Sequence, residues 1–90
     1  MFDVVYHPQV IAVDIPKPPI VWKTKIRRAI EDRLITRPDF YGKPLRRSLK
    51  GYRKLRVGDY RVIFRIEDST IKILMIEHRS VVYRLITKRV

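Results

Sequence analysis

The stretch KLRVGDYRVIFRI, residues 54–66, alternates cations with apolar side chains. The four cations are Lys54, Arg56, Arg61 and Arg65. In a strand pair this alternation sends the positive charge to one face and most apolar side chains to the other. Cations bind phosphates and an aromatic ring such as Tyr52 or Tyr83 stacks on unpaired bases, so the face suits single-stranded RNA. The alternative is a solvated strand face without a ligand.

Two side chains near these cations are suited to moving protons. The imidazole of His78 ionises near neutral pH, which makes it a candidate general acid or base, or else a turn histidine with a structural role. Lys54 has three arginine neighbours, and nearby like charges favour the neutral amine that acts as a base. These neighbours are Arg53, Arg56 and Arg61. Plain electrostatic binding of an RNA backbone is the alternative for Lys54 and Arg61.

The other candidates bind rather than move protons. Tyr83 either stacks on a base or orients the 2′-hydroxyl, and the alternative is a structural tyrosine half-buried by the C-terminal helix. We expect a further set of arginines to bind the RNA backbone. These are Arg53, Arg56, Arg65 and Arg79. Cysteine is absent, and no cluster of His, Asp and Glu has the spacing of a metal site, so we expect neither a metal nor another cofactor.

Charge and length narrow the class of protein. The 90 residues carry 21 Lys and Arg against 9 Asp and Glu, a formal net charge of +12, which favours a polyanion as partner. An acidic protein partner would relieve the same self-repulsion. We expect one domain, residues 1–90, with no contact to a membrane, because no apolar run approaches the about 20 residues that span a bilayer. Without cysteines or a leader pattern, the cytoplasm is the expected location.

One strand and a pair of helices are predicted before the cationic stretch. Residues 2–6, FDVVY, are β-branched and aromatic, as in a strand. Residues 9–14 suit a short helix that Pro8 opens and Pro16 stops. From Ile20 to about Ile35 apolar residues recur every three or four positions, which predicts the main helix. These positions are Trp22, Ile26, Ala29, Ile30 and Leu34. The two helices therefore form a hairpin at the prolines.

The second half of the chain has the period of two that is typical of strands. We predict strands at 54–57, 60–66 and 70–78, joined by turns at Gly58-Asp59 and 67–69. A single helical turn is expected at 45–49 and a short helix within 80–90. The hairpin is expected to cover one sheet face, formed by Leu55, Val57, Val62, Phe64 and Ile66. The fold class is α+β: an N-terminal strand, a two-helix hairpin and an antiparallel three-strand meander, giving a four-stranded sheet with helices on one face and a short C-terminal helix.

Three segments, taken in order, carry a resemblance that spans nearly the whole chain. They are FDVVYHP, GKPLRRSLKGYRKLRVGDYRVIFRI and HRSVVY. Their order, with a basic strand, a tight glycine turn, a Tyr-Arg pair and a later His-Arg followed by Val-Tyr, closely resembles the RelE/ParE superfamily of bacterial toxins. The expected fold is therefore RelE-like.

The resemblance implies one of two activities. The RelE branch implies a metal-independent endoribonuclease that cuts mRNA in the ribosomal A site by attack of the 2′-hydroxyl. The ParE branch shares the fold but inhibits gyrase, and fold alone does not decide function. A third possibility is a catalytically idle basic module that only binds RNA or an antitoxin. In each case the implied partner is a cognate antitoxin, an acidic or amphipathic segment that wraps the toxin, with mRNA and the ribosome added for the RelE branch.

Site residues carry over from the RelE branch position by position. Lys54 and Arg61 match cationic positions of RelE active sites, where Arg61 would hold the scissile phosphate, while His78 and Tyr83 match the C-terminal HR and VY elements. The implied catalytic residues are thus Lys54, Arg61, His78 and Tyr83. The segment before Tyr83 is short, and Tyr52 or Arg53 stands where some relatives have a second lysine, so the match within 78–83 can be displaced by one residue.

Overall fold

The computed structural model describes residues 1–46 and 49–89. Its strands are β1 (Asp3–Tyr6), β2 (Lys43–Pro44), β3 (Arg53–Val57), β4 (Tyr60–Glu67) and β5 (Thr70–His78). Its helices are α1 (Ile20–Ala29), α2 (Pro38–Tyr41) and α3 (Val82–Arg89), with π-helical segments at Val10–Asp14 and Ile30–Leu34. The predicted order of a strand, two helices, a three-strand meander and a final helix is confirmed.

Prolines set the limits of the helical hairpin. Pro19 lies directly before α1 with an extended ψ of 154°, so the helix begins at Ile20 as predicted. The π-helical segment Ile30–Leu34 continues α1, and its last hydrogen bond runs from the N–H of Ile35 to the carbonyl of Ile30 at 3.1 Å. Pro38 then keeps Arg37 out of helical geometry, with φ −143° and ψ 69°. The predicted end of the main helix near Ile35 is confirmed.

The strands form one sheet in the order β1-β5-β4-β3-β2. Neighbours are antiparallel except for β1, which runs parallel to β5. The sheet has one strand more than the predicted four, because Lys43 and Pro44 pair with the edge of β3. Pro44 has no N–H to donate, so it is tolerated in the outermost strand.

A bulge interrupts the pairing of β4 with β5. Ile63 lies opposite Met75, whereas the next residue, Phe64, lies opposite Ile73, so Leu74 is an extra residue on β5. The sequence pattern did not reveal this bulge, because both strands are apolar at this point. Side chains on both faces of the sheet are buried at this point.

Two apolar cores lie on opposite faces of the sheet. The helical hairpin covers the face formed by Leu55, Val57, Val62 and Phe64, with Ile66 packed at the margin, as predicted. On the other face α3 packs Val82 and Ile86 against Ile63 and Met75. The hairpin thus occupies one face as expected, and the C-terminal helix lies on the cationic face.

A buried ion pair closes the open edge of β5. β1 pairs with β5 only as far as Ile73, and among residues 1–46 and 49–89 no other strand pairs with the rest of this edge. Asp14 takes that place: its Oδ2 accepts the N–H of Ile76 at 2.9 Å. Arg89 of α3 donates to both carboxylate oxygens of Asp14, at 2.6 and 3.2 Å, and to the carbonyl of Leu74 at 3.2 Å. The first helical segment, the sheet and α3 are therefore joined at one point.

The helical turn predicted at 45–49 includes residues 47 and 48, which lie outside the described residues. Within 1–46 and 49–89, no helix combines the length and apolarity needed to cross a bilayer.

Candidate nucleic-acid interface

An open cleft of about 550 Å³ lies where the cationic sheet face meets the start of α3. Its walls come from β3, β4, the end of β5 and the turn into α3. The lining side chains are Lys54, Arg56, Arg61, His78, Arg79, Ser80 and Tyr83. The structure therefore brings together all four residues assigned to catalysis and two of the four arginines assigned to RNA backbone. We name this site the cationic cleft.

Arg61 forms the floor of the cationic cleft. Its side chain is held down: Nη1 donates to the carbonyls of Gly58 and Tyr60, both at 2.9 Å, and only 8% of the residue is exposed. Among the described hydrogen bonds of Arg61 none uses Nε or Nη2. Arg56 lies directly opposite Arg61 across the β3–β4 pair. Like charges in this relation destabilise a sheet, and an anion bound between them relieves that repulsion.

Lys54 and Tyr83 form the wall nearest to α3. The Lys54 Nζ lies over the Tyr83 ring, 5.6 Å from its centroid, a cation–π contact. Tyr83 is 41% exposed, so its ring remains accessible to a base or a ribose. The position of Tyr83 depends on α3, because Val82 beside it is fully buried against the sheet.

His78 presents one ring nitrogen and uses the other to hold a turn. The backbone N–H of Ser80 donates to Nδ1 at 3.1 Å, and the Ser80 hydroxyl lies 2.8 Å from the same atom. Because a backbone N–H is always the donor, we assign the proton of the neutral imidazole to Nε2. Tyr60 packs edge-on against the ring at 5.6 Å. Nε2 is therefore the nitrogen left for a substrate. The sequence prediction did not include Ser80 among the site residues, although its spacing from His78 in His-Arg-Ser is typical of such turns.

Three of the four arginines predicted to bind the RNA backbone contact other protein groups instead. Two of these three lie outside the lining of the cationic cleft. Arg53 donates to the carbonyl of Gly42 at 3.0 Å. Arg65 lies at the far end of β4, paired with Glu67 at 3.1 Å and stacked on Tyr52 at 5.7 Å. Its pKa is raised, first by the hydrogen bond with Tyr52 and then by Glu67. Arg79 is in the cleft lining but pairs with the exposed Asp59 at 3.3 Å.

The match to known proteins decides the family. Residues 20–83 match the family described as the ParE toxin of the type II toxin–antitoxin system parDE. The chain is also 41% identical over 69 residues, 74% of its length and 78% of the relative's, to Toxin RelG of Mycobacterium tuberculosis. The chain belongs to the RelE/ParE toxin superfamily. The resemblance noted from the sequence is thus confirmed.

Two further likenesses place this RelE/ParE member near the RelE side of the superfamily. Toxin RelE of Mycobacterium tuberculosis is 43% identical over 54 residues, which cover 58% of this chain and 56% of that toxin. The toxin–antitoxin complex RelBE2 of the same organism contains a chain that superposes with a TM-score of 0.80 and 32% identity. That match covers 87% of this chain and 98% of the other, so the RelE-like fold is shown.

Proposed function

We propose that this RelE/ParE toxin is an endoribonuclease that cuts mRNA in the ribosomal A site without a metal ion. The observation that carries the proposal is the cationic cleft. Two proton-transfer candidates, Lys54 and His78, line this cleft together with Arg61 and Tyr83. An RNA backbone is attracted by the cations, while the exposed Tyr83 ring suits a base or ribose.

The reaction requires only groups that this cleft contains. The 2′-oxygen attacks the adjacent phosphorus as its proton is removed, negative charge builds up on the phosphorane oxygens, and the bond from phosphorus to the 5′-oxygen breaks as that oxygen gains a proton. The products are a 2′,3′-cyclic phosphate and a free 5′-hydroxyl. A base, a fixed cation and a proton donor are therefore sufficient.

Each group has one task in this scheme. Lys54 removes the 2′-proton after the ammonium loses its own proton, and Tyr83 beneath it orients the ribose. Arg61 stabilises the phosphorane, because a guanidinium fixed by two carbonyls needs no rearrangement when charge develops. His78 acts as an imidazolium, which donates the Nε2 proton to the leaving 5′-oxygen and returns to the neutral ring. In this charged form its Nδ1–H donates to the Ser80 hydroxyl. Arg56 and Arg79, both exposed, bind the neighbouring phosphates.

The proposed partner in the resting state is a cognate antitoxin. The Mycobacterium tuberculosis structure that this chain resembles at 32% identity is a toxin–antitoxin complex. The net charge of +12 favours an acidic or amphipathic antitoxin segment that wraps the toxin. Messenger RNA and the ribosome are the proposed partners in the active state, which places the protein in the cytoplasm.

Induced expression in bacteria with mapping of mRNA ends tests the proposal. We expect growth arrest and codon-phased cuts in translated messages, with 5′-hydroxyl ends. Arg61→Ala should abolish the cuts, and Tyr83→Phe, which keeps the ring beneath Lys54, should reduce them strongly. Because Arg61 is buried, its variant needs an unfolding curve beside it, and the exposed Arg56→Ala serves as a second variant that should weaken cutting.

Gyrase inhibition is the competing function, and the ParE description of the matching family favours it. A gyrase inhibitor would induce the DNA-damage response and leave mRNA intact. Intact mRNA in arrested cells would therefore overturn the nuclease proposal, whatever the state of the chromosome.

A further inference from the structure

A second basic groove begins where the cationic cleft ends. It lies between α1 and the end of β3, has a volume of about 370 Å³, and shares the exposed Arg56 with the cleft lining. Its other cations are Lys25, Arg28 and Arg33. The floor is formed by Trp22, Ala29, Val57 and Gly58. We name it the α1 groove.

The charge of the α1 groove is largely uncompensated. None of its four cations makes an ion pair within the described residues, whereas Arg27, one position from Arg28, lies 3.9 Å from Glu31. Asp32 is the acidic residue of the lining, so four positive charges face one negative charge. Lys25 rests on the Trp22 ring at 4.7 Å and keeps its charge at the rim. A run of unpaired cations on a small domain self-repels, and a bound polyanion relieves this.

Continuity through Arg56 indicates which polyanion fits. A phosphate held between Arg56 and Arg61 belongs to a strand that must leave the cleft, and Arg56 is the side chain common to both surfaces. We propose that the single-stranded RNA bound in the cationic cleft continues into the α1 groove, where Lys25, Arg28 and Arg33 bind its backbone beyond the cut. The inference rests on the proposed function for the identity of the ligand, and it adds a binding site to it.

Trp22 provides a readout specific to this groove. It is the single tryptophan of the chain and it lies in the floor, under Lys25. A 2′-O-methyl RNA has no free 2′-hydroxyl, so it binds without being cut. An oligonucleotide of about 12 nucleotides, at about 3.4 Å per phosphate even when stacked, exceeds the 31 Å longest extent of the molecule. A 2′-O-methyl trinucleotide is too short to fill both sites.

We expect the two oligonucleotides to behave differently. The longer one should bind more tightly and change the Trp22 fluorescence, while the trinucleotide in the cleft should leave this fluorescence unchanged. For single strands each neutralised phosphate contributes about 0.7 to the slope of log K against log salt, which corresponds to about fivefold in affinity at 0.1 M salt.

A charge-matched pair of variants on the same helix isolates the groove. Lys25→Gln/Arg28→Gln removes two groove cations, and the control Lys23→Gln/Arg27→Gln removes two cations that line a different surface of α1. Both lower the net charge by two. The groove variant should lose about 25-fold in affinity for the long RNA and about 1.4 from its salt slope. The control should lose less than a quarter of the slope change seen for the groove variant.

The outcomes separate this inference from the nuclease proposal. Equal losses in both double variants, or a Trp22 signal that the trinucleotide already saturates, would overturn the α1 groove as an RNA site. If the α1 groove binds an acidic polypeptide instead of RNA, the long RNA should bind without changing the Trp22 fluorescence. That outcome would also overturn the α1 groove as an RNA site. Cutting of unmodified mRNA is measured separately, so a lack of cleavage with an intact length dependence would refute only the nuclease.

Discussion

The carboxylate of Asp14 and the guanidinium of Arg89 form a two-point ion pair across 75 residues of chain, with Asp14 fully buried. The pair attaches α3 to the first helical segment at the edge of β5. Because α3 also carries Tyr83, the geometry of the cationic cleft depends on an ion pair at the other end of that helix.

Asp14→Asn is expected to lower the free energy of unfolding by about 3 kcal/mol, near the lower limit for a buried pair that loses one charge. The amide oxygen can still accept the N–H of Ile76, so the loss reports on Arg89. Urea unfolding followed by circular dichroism measures it. Glu31→Gln breaks the exposed pair with Arg27 and should cost less than about 1 kcal/mol. Equal costs for the two variants would show that burial adds nothing to the Asp14 pair.

His78→Asn separates the two tasks of the imidazole. The side-chain oxygen of the substituted asparagine can occupy the position of Nδ1 and accept the Ser80 N–H, but nothing replaces Nε2. We expect cutting of mRNA to slow by about 10²-fold or more, with an unfolding midpoint near that of the parent. His78→Gln, which loses the turn contact, should cost about 1 kcal/mol of stability. Full cutting activity in His78→Asn would reduce His78 to a turn histidine.

Gly58→Ala should destabilise the protein for a reason specific to one contact. The residue has a φ of +58°, and an added Cβ would lie 2.3 Å from the Trp22 ring. We expect a loss of about 2 to 3 kcal/mol from backbone strain and overpacking together. Gly51→Ala is the matched control, because φ is +95° but nothing lies within 4 Å, so only the strain of about 1 kcal/mol remains.

A Trp22→Leu background tests this explanation of Gly58. If the clash with the indole ring causes the extra loss, Gly58→Ala in that background should cost no more than Gly51→Ala, a coupling of at least about 1 kcal/mol in a double-mutant cycle. Both free energies come from urea unfolding. Strict additivity of the two substitutions would contradict the contact.

The sequence predicted most helices and strands because each of these elements has a signal within its own residues. Prolines limited the main helix, and the alternation in 54–66 placed Lys54, Arg56 and Arg61 on one face of the sheet. The same alternation puts Arg53 on the opposite face, beside Leu55, and so argues against its assignment to the RNA site. Arg65 is on the correct face but at the wrong end of its strand, because a period of two gives the face and not the position along it.

Tertiary features could not be predicted from the sequence because the residues that form them are far apart in the chain. The bulge at Leu74 lies where both faces of the sheet are buried. Arg61 is also buried, with its guanidinium bonded to two backbone carbonyls, rather than exposed as a strand cation. The Asp14 to Arg89 pair joins two segments whose local patterns say nothing of one another. The α1 groove likewise needs the helix and the strand end to be brought together before its cations form one surface.

Stability at alkaline pH should depend on Tyr6. Burial, and then the negative charge of Glu31, raise the pKa of the Tyr6 hydroxyl above its ordinary 10.0. The folded state therefore keeps this proton after the unfolded chain has lost it. The contribution of Tyr6 to stability is complete below pH 10.0 and is lost progressively as the pH rises from there toward the folded-state pKa.

Tyr6→Phe removes this dependence and should flatten the alkaline side of the stability curve. Urea midpoints at pH 9 and at successive steps above pH 10 measure the effect, with the exposed Tyr41→Phe as the control for a tyrosine that the fold does not enclose. Of the two tyrosine variants, only Tyr6→Phe should lose less stability than the parent across this window. Glu31→Gln should give a smaller flattening in the same direction, because the charge of Glu31 is the second of the two causes. Parallel curves for the parent and Tyr6→Phe would show that the hydroxyl titrates alike in both states.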